Sequence, residues 1–117
     1  MNVFDDREKA FEAKYHVDEE LAFKVNARRD KLLGLWVADK LGLTGPDAEA
    51  YARAVLEADF ADPGHAAMLK KLSGDLEAKN VAISPEKLHR EMDRLLAVAR
   101  EQVTGEVAAG KQEISPE

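Results

Sequence analysis

The sequence predicts an all-α fold: a four-helix bundle with a long or extended N-terminal helix and a flexible C-terminal tail. Three observations carry this expectation. Apolar residues recur at i, i+3, i+4 and i+7 along most of the chain, strand-like alternation is nearly absent, and short breaks bearing Gly, Pro or Asn separate the periodic runs. At 117 residues, one domain with short terminal segments is the default.

The first helix is the long one. Asp5 and Glu8 stand at capping-box spacing, and a helical apolar set runs through Leu21, Val25, Leu32, Leu35 and Trp36, widened by Leu33 and Val37. Gly34 lies inside KLLGLWV, the most hydrophobic run, where a glycine costs about 1 kcal/mol against alanine. Close helix packing is the expected reason for it, in preference to a hinge, and Trp36 reads as a core residue. Gly42 offers a C-terminal cap.

Thr44 and Asp47 then form a Thr-x-x-acid capping pattern, with Pro46 in the first turn where its missing N–H is harmless. The second helix carries Ala48, Tyr51, Ala52, Val55, Leu56 and Phe60 on one face. Asp62-Pro63-Gly64 ends it and can cap a third helix, whose face is Met68, Leu69, Leu72 and Leu76 and whose left-handed terminator is Asn80. Ser84-Pro85 is an N-cap with a first-turn proline. The fourth helix shows Leu88, Met92, Leu95, Leu96, Ala99 and Val103 on one face. Gly105, Gly110 and Pro116, among mixed charges, read as a frayed, disordered tail over residues 105–117. Residues 21–104 are thus the expected bundle, with its short connections favouring antiparallel neighbours.

Composition excludes several classes of function. No stretch approaches the ~20 apolar residues a membrane span requires, and the N-terminus lacks the apolar core of a signal peptide, so the cytoplasm is the expected location. There is no Cys, which rules out disulfides, Cys-based zinc sites and thiol catalysis. A net charge of −6 argues against sequence-independent nucleic-acid binding, and the best basic patch, Arg28-Arg29 with Lys31, is short and interrupted by Asp30. His16, His65 and His89 are far apart with no carboxylate at metal-ligand spacing, so exposed or capping roles are expected. Asp59 to Asp62 lacks the pattern of an EF-hand loop, the serines have no nucleophile-elbow context, and no glycine-rich phosphate loop is present. Neither an enzyme nor a cofactor is expected. Charge pairs such as Asp5 with Lys9 and Glu20 with Lys24 read as solvated helix surface.

Residues 1–20 form a segment of their own character. They hold seven acids (Asp5, Asp6, Glu8, Glu12, Asp18, Glu19, Glu20) and three bases (Arg7, Lys9, Lys14), with only Phe4, Phe11 and Tyr15 as an apolar stripe. Helices of about 12–15 residues are marginal alone, and their stability in proteins comes from a packed face. So thin a stripe holds its helix weakly. Two readings follow from the residues: an exposed helix flanking the bundle, or a mobile segment that orders on a partner with its aromatics as anchors.

The motifs FDDREKAFE, HVDEE, ARRDKLLGLW and DAEAYA, with EADF and AISPEKLHREMDRL further on, resemble the zeta subunit of the alphaproteobacterial F-type ATP synthase. This inhibitor family was first catalogued as a domain of unknown function. The resemblance covers about residues 3–97. It implies a four-helix bundle with a mobile N-terminal inhibitory region and a non-enzymatic role in blocking ATP hydrolysis. On that pattern residues 1 to about 19 wedge at a catalytic subunit interface of the head, beside the rotor shaft. Phe4, Phe11 and Tyr15 become interface anchors, while Arg7, Lys9 and Lys14 pair with acidic groups of the head. Tyr15 stands where the pattern has Phe, and Asp30 where it has Asn. The protein would then lie in the cytoplasm, peripheral to the inner membrane through the synthase, and be a monomer when free. The alternatives are a helical adaptor with another partner, or a sensor of a small ligand such as a nucleotide, held between helices.

Overall fold

The computed structural model describes the backbone of residues 3–110 and the side chains of residues 18–110. Four helices follow one another, α1 (Val3–Lys40), α2 (Gly45–Ala61), α3 (Ala66–Ala78) and α4 (Pro85–Ala108), with no strand among the described residues. The Asp5–Glu8 start is overrun by two residues, because α1 is already helical at Val3 and neither Val3 nor Phe4 is a helix breaker.

Local chemistry ends the helices where short-range signals stood. After α1, Gly42 takes φ +81°, the Leu43 N–H reaches the Ala38 carbonyl at 2.9 Å and the Gly42 N–H reaches that of Asp39 at 3.1 Å. That pair of bonds is the Schellman arrangement, which satisfies carbonyls the helix itself leaves open. Asn80 repeats it after α3 at φ 58°, with the Val81 N–H bonded to Leu76 O at 2.9 Å. Ser84 accepts from the Lys87 N–H at 3.1 Å and starts α4, while Asp62 accepts from the Ala67 N–H at 3.2 Å and caps the first turn of α3.

Two further boundaries differ from expectation. Thr44 makes no side-chain capping bond. Pro46 has no N–H to give it, and Gly45 enters at φ +55°, outside the helical range, so the expected cap geometry is not reached. At the other end, α4 passes straight through Gly105 to Ala108, past the expected end at Thr104. Val107 packs against the cluster of Val25, Ala99 and Val103, and Glu106 is held by Arg28, so tertiary contacts outweigh the glycine. Residues 111–117, the rest of the expected tail, lie outside the described residues.

α1 is the axis of the packing, with α2 and α4 lying along it and α3 lying chiefly on α2. The main core joins Leu33, Val37, Val55, Met68, Leu72, Leu76, Leu88 and Leu95, all buried, with Trp36, Tyr51 and Met92 partly buried against it. Trp36 is therefore a core-edge residue, its ring covered by Lys40 Nζ at 5.2 Å. A second cluster joins Val25 to Ala99 and Val103, with Leu21 and Leu96 at its margin.

At Gly34 the backbones of α1 and α2 come close together. A Cβ there would stand 2.7 Å from Ala52 Cα and 3.3 Å from Val55 Cβ, so the glycine serves close packing, as expected. Tyr51 donates to Asp75 Oδ2 at 2.8 Å and Lys71 donates to the same oxygen at 3.1 Å, tying α2 to α3. Burial, then the hydrogen bond to Asp75, pushes the Tyr51 hydroxyl above its usual range.

Candidate functional site: the N-terminal helix and the face it shares with α2

Phe4, Arg7, Lys9, Phe11, Lys14 and Tyr15 all lie on α1, in the part whose side chains are outside the described residues. So does the Asp5–Lys9 pair. What the backbone adds is register. On one continuous helix, Phe4, Phe11 and Tyr15 fall within about 40° of each other, on a single face. Leu21 packs at the margin of the second core cluster. α1 at 38 residues runs to about 57 Å, and α4, at 24, to about 36 Å.

Where α1 enters the bundle, its side chains are fixed from both neighbours. Arg28 donates to both carboxylate oxygens of Glu106, at 2.6 and 2.7 Å, and to Gln102 Oε1 at 2.9 Å. This bidentate bond raises the Arg28 pKa further and joins α1 to the last turns of α4. Arg28-Arg29, the best candidate for a basic patch and already too short in sequence, is further depleted in the fold: Arg28 is paired with Glu106, and Arg29 is buried.

Arg29 and Asp30 belong instead to a buried ionic cluster that short-range sequence patterns did not signal. Arg29 Nε donates to Asp30 Oδ1 at 3.0 Å, and its Nη2 lies 3.7 Å from Asp59 Oδ2. Asp59 sits near the end of α2, and His65 Nδ1, at the start of α3, lies 2.7 Å from Asp59 Oδ1. So short a contact assigns the proton to Nδ1, which donates to Asp59. His65 Nδ1 is also 3.4 Å from Arg29 Nη2, a longer and secondary contact. His65 thus begins α3, at φ 69°, and also helps bind it to α2.

Asp30 has no exposed surface, and its Oδ2 meets no N–H or hydroxyl donor. The group it faces is the Asp59 carboxylate, and two carboxylates in contact share a proton when neither can be solvated. Burial and the hydrogen bond to Asp59 push Asp30 up to about 8, against the opposing effect of Arg29. Asp30 is therefore the protonated partner, its hydroxyl donating to Asp59. For Asp59, burial alone would raise the pKa, but the hydrogen bonds from Asp30 and His65 and the charges of His65 and Arg29 outweigh it and hold the group low. This cluster fastens α1, α2 and the start of α3 together. Among the described residues, no group of three or more His, Asp or Glu is placed to hold a metal ion.

The second departure is aromatic. Phe60, expected on the buried face of α2, is 52% exposed, and Phe23 of α1 is 58% exposed. Their rings stack on each other at 5.2 Å and 34°, at the edge of a cleft between the two helices.

Comparison with known proteins bears on what this helix does. A family model described as ATPase inhibitor subunit zeta matches residues 1–102. The chain belongs to this family. The match includes the first twenty residues, so the zeta-family pattern spans the thin N-terminal stripe as well as the bundle. A protein whose structure was determined in solution by NMR is 43% identical, over 72% of this chain and 95% of its own, with a TM-score of 0.64. Among curated proteins no sequence matches this chain. No described helix is long and apolar enough to cross a membrane.

Proposed function

We propose that this zeta-family chain inhibits ATP hydrolysis by a bacterial F-type ATP synthase, with the N-terminal part of α1 as the inhibitory element. Residues 1 to about 19 enter the catalytic head at a catalytic subunit interface beside the rotor shaft. Phe4, Phe11 and Tyr15 anchor the helix there, and Arg7, Lys9 and Lys14 meet acidic groups of the head. The bundle is the scaffold that holds and delivers the segment. The chain itself performs no catalysis, and it reaches the inner membrane, on the cytoplasmic side, through the synthase.

The observation that carries this reading is the character of the sequence that α1 carries at its N-terminal end. Residues 1–20 offer only Phe4, Phe11 and Tyr15 as an apolar stripe among seven acids and three bases, yet the α1 backbone is one helix from Val3. Helices gain most of their stability from an apolar face that another surface covers. A helix with such a narrow stripe gains most from a partner groove, where widely spaced aromatics act as anchors.

The test is ATP hydrolysis by the same organism's ATP synthase with the full-length protein, with residues 1–19 removed, and with F4A/F11A/Y15A in the full chain. The intact protein should inhibit and both variants should lose most of that effect. Equal inhibition by all three, or by none, would sink the proposal.

A further inference from the structure

Between α1 and α2 runs a cleft of about 430 Å³ that the core does not fill. The two helices are antiparallel along it, since Phe23 meets Phe60 at one end and Gly34 meets Ala52 further on. Lys24, Arg28 and Lys31 repeat along the α1 side at i, i+4 and i+7, and Arg53 stands opposite them on α2. Among the described residues, the one carboxylate lining the cleft is Glu49.

Charge is what makes this cleft unusual. The chain carries a net charge of −6, yet here it gathers four cations. Arg28 is neutralised by Glu106, but among the described residues Lys24, Lys31 and Arg53 meet no carboxylate at ion-pair distance. Cations left unpaired along one groove of an acidic protein raise the local potential and favour an anionic partner. The apolar lining is small, formed by Ala27, Ala52 and Leu56, and Phe23 adds a half-exposed ring that packs on Phe60. Exposed aromatics beside arginine are the composition of an interface centre, and small residues let a helix backbone approach closely.

We propose that this groove is a second docking surface, which takes an acidic amphipathic helix of the enzyme that the chain inhibits. A helix is the fitting occupant because no sheet edge is present among the described residues to pair with an extended strand. Its apolar face would cover Phe23, Phe60 and Leu56, and its Asp and Glu residues would meet Lys24, Lys31 and Arg53. Nucleic acid fits less well, because three unpaired cations cannot offset the repulsion of an acidic chain. The role of such a contact is to hold the bundle on the outside of the head while the N-terminal helix engages within it. This inference rests on the proposed function above.

The experiment measures binding of the full-length protein to the isolated head of the same organism's ATP synthase. The charge-reversed variant K24E/K31E/R53E should bind about tenfold more weakly at low salt, with the gap shrinking as salt is raised. F23A/F60A should weaken binding without that salt dependence. Circular dichroism reports whether each variant folds, and K24Q/K31Q/R53Q replaces the reversal if it does not, with a smaller loss in the same direction. With p-benzoylphenylalanine in place of Phe60, irradiation should capture an Asp- and Glu-rich segment of a head subunit. Unchanged binding by the charge variants, or capture of a basic segment or of a second copy of this chain, overturns the groove while leaving the inhibitory helix standing. If the unaltered protein fails to bind the head at all, both readings fall.

Discussion

Replacing Asp30 with Asn should stabilise the protein, and by more at pH 7 than at pH 5. D30N keeps both hydrogen bonds of the buried pair: the amide oxygen accepts from Arg29 Nε, and the amide N–H donates to Asp59 in place of the acid proton. What it removes is the titration. The Asp30 carboxyl is raised from 3.8 to about 8 on folding. Between those values the folded chain binds one more proton than the unfolded chain, so the stability it contributes is fully present below the unfolded value and is lost as pH rises towards 8. The slope is about 1.4 kcal/mol per pH unit at most, so two units from pH 5 to pH 7 cost the unaltered protein up to about 3 kcal/mol that D30N does not lose. Relaxation of the pair reduces this, and a widening of about 1–3 kcal/mol is the expected result. Asp59 works in the opposite sense: its lowered pKa gives stability that is present above 3.8 and lost below it. The window from pH 5 to pH 7 lies above the Asp59 transition, and the difference between the two proteins within it reports Asp30. Urea unfolding followed by circular dichroism at pH 5, 6 and 7 measures both proteins. If the difference between them stays constant or narrows with pH, Asp30 is not a buried neutral acid and the reading of the cluster is wrong. Asn is also the residue that the zeta-family resemblance leads one to expect at position 30.

Further outcomes follow from the packing and the caps. G34A should lower stability by about 1 kcal/mol in thermal or urea unfolding, because the new methyl stands 2.7 Å from the Ala52 backbone and overpacking outweighs the gain in helix propensity. G74A, on α3 with nothing within 4 Å of the added methyl, should instead raise it by about 1 kcal/mol, and the opposite signs of the two changes are the check. S84A removes the acceptor of the Lys87 N–H and should cost about 1 kcal/mol, read from the same melts.

Helix identity and most helix ends were legible because they depend on neighbours in the chain. Gly42 and Asn80 adopt the left-handed conformation their types favour, and Ser84 and Asp62 cap the helices that follow them. Gly34 was legible too, since a glycine in the most apolar run has few purposes other than close packing. The Asp30–Asp59 pair was not, because the two acids lie on different helices and neither disturbs a local pattern. In sequence each is an ordinary surface carboxylate. The same holds for Phe60, whose spacing matches the core face of α2 but which the fold leaves 52% exposed.

What the sequence alone determined, then, is the number of helices, their order and most of their ends, together with an N-terminal stripe too thin to be a core face. Those features follow from dihedral preference, capping and apolar period, which act over a few residues. Tertiary structure alone decided that Asp59 and His65 join the buried Arg29 and Asp30 in one ionic cluster. It also carried α4 past Gly105, and it left Phe23 and Phe60 uncovered beside a row of cations. Burial, shared protons and exposed grooves are properties of surfaces that meet in space, and no local period of the chain encodes which surfaces will meet.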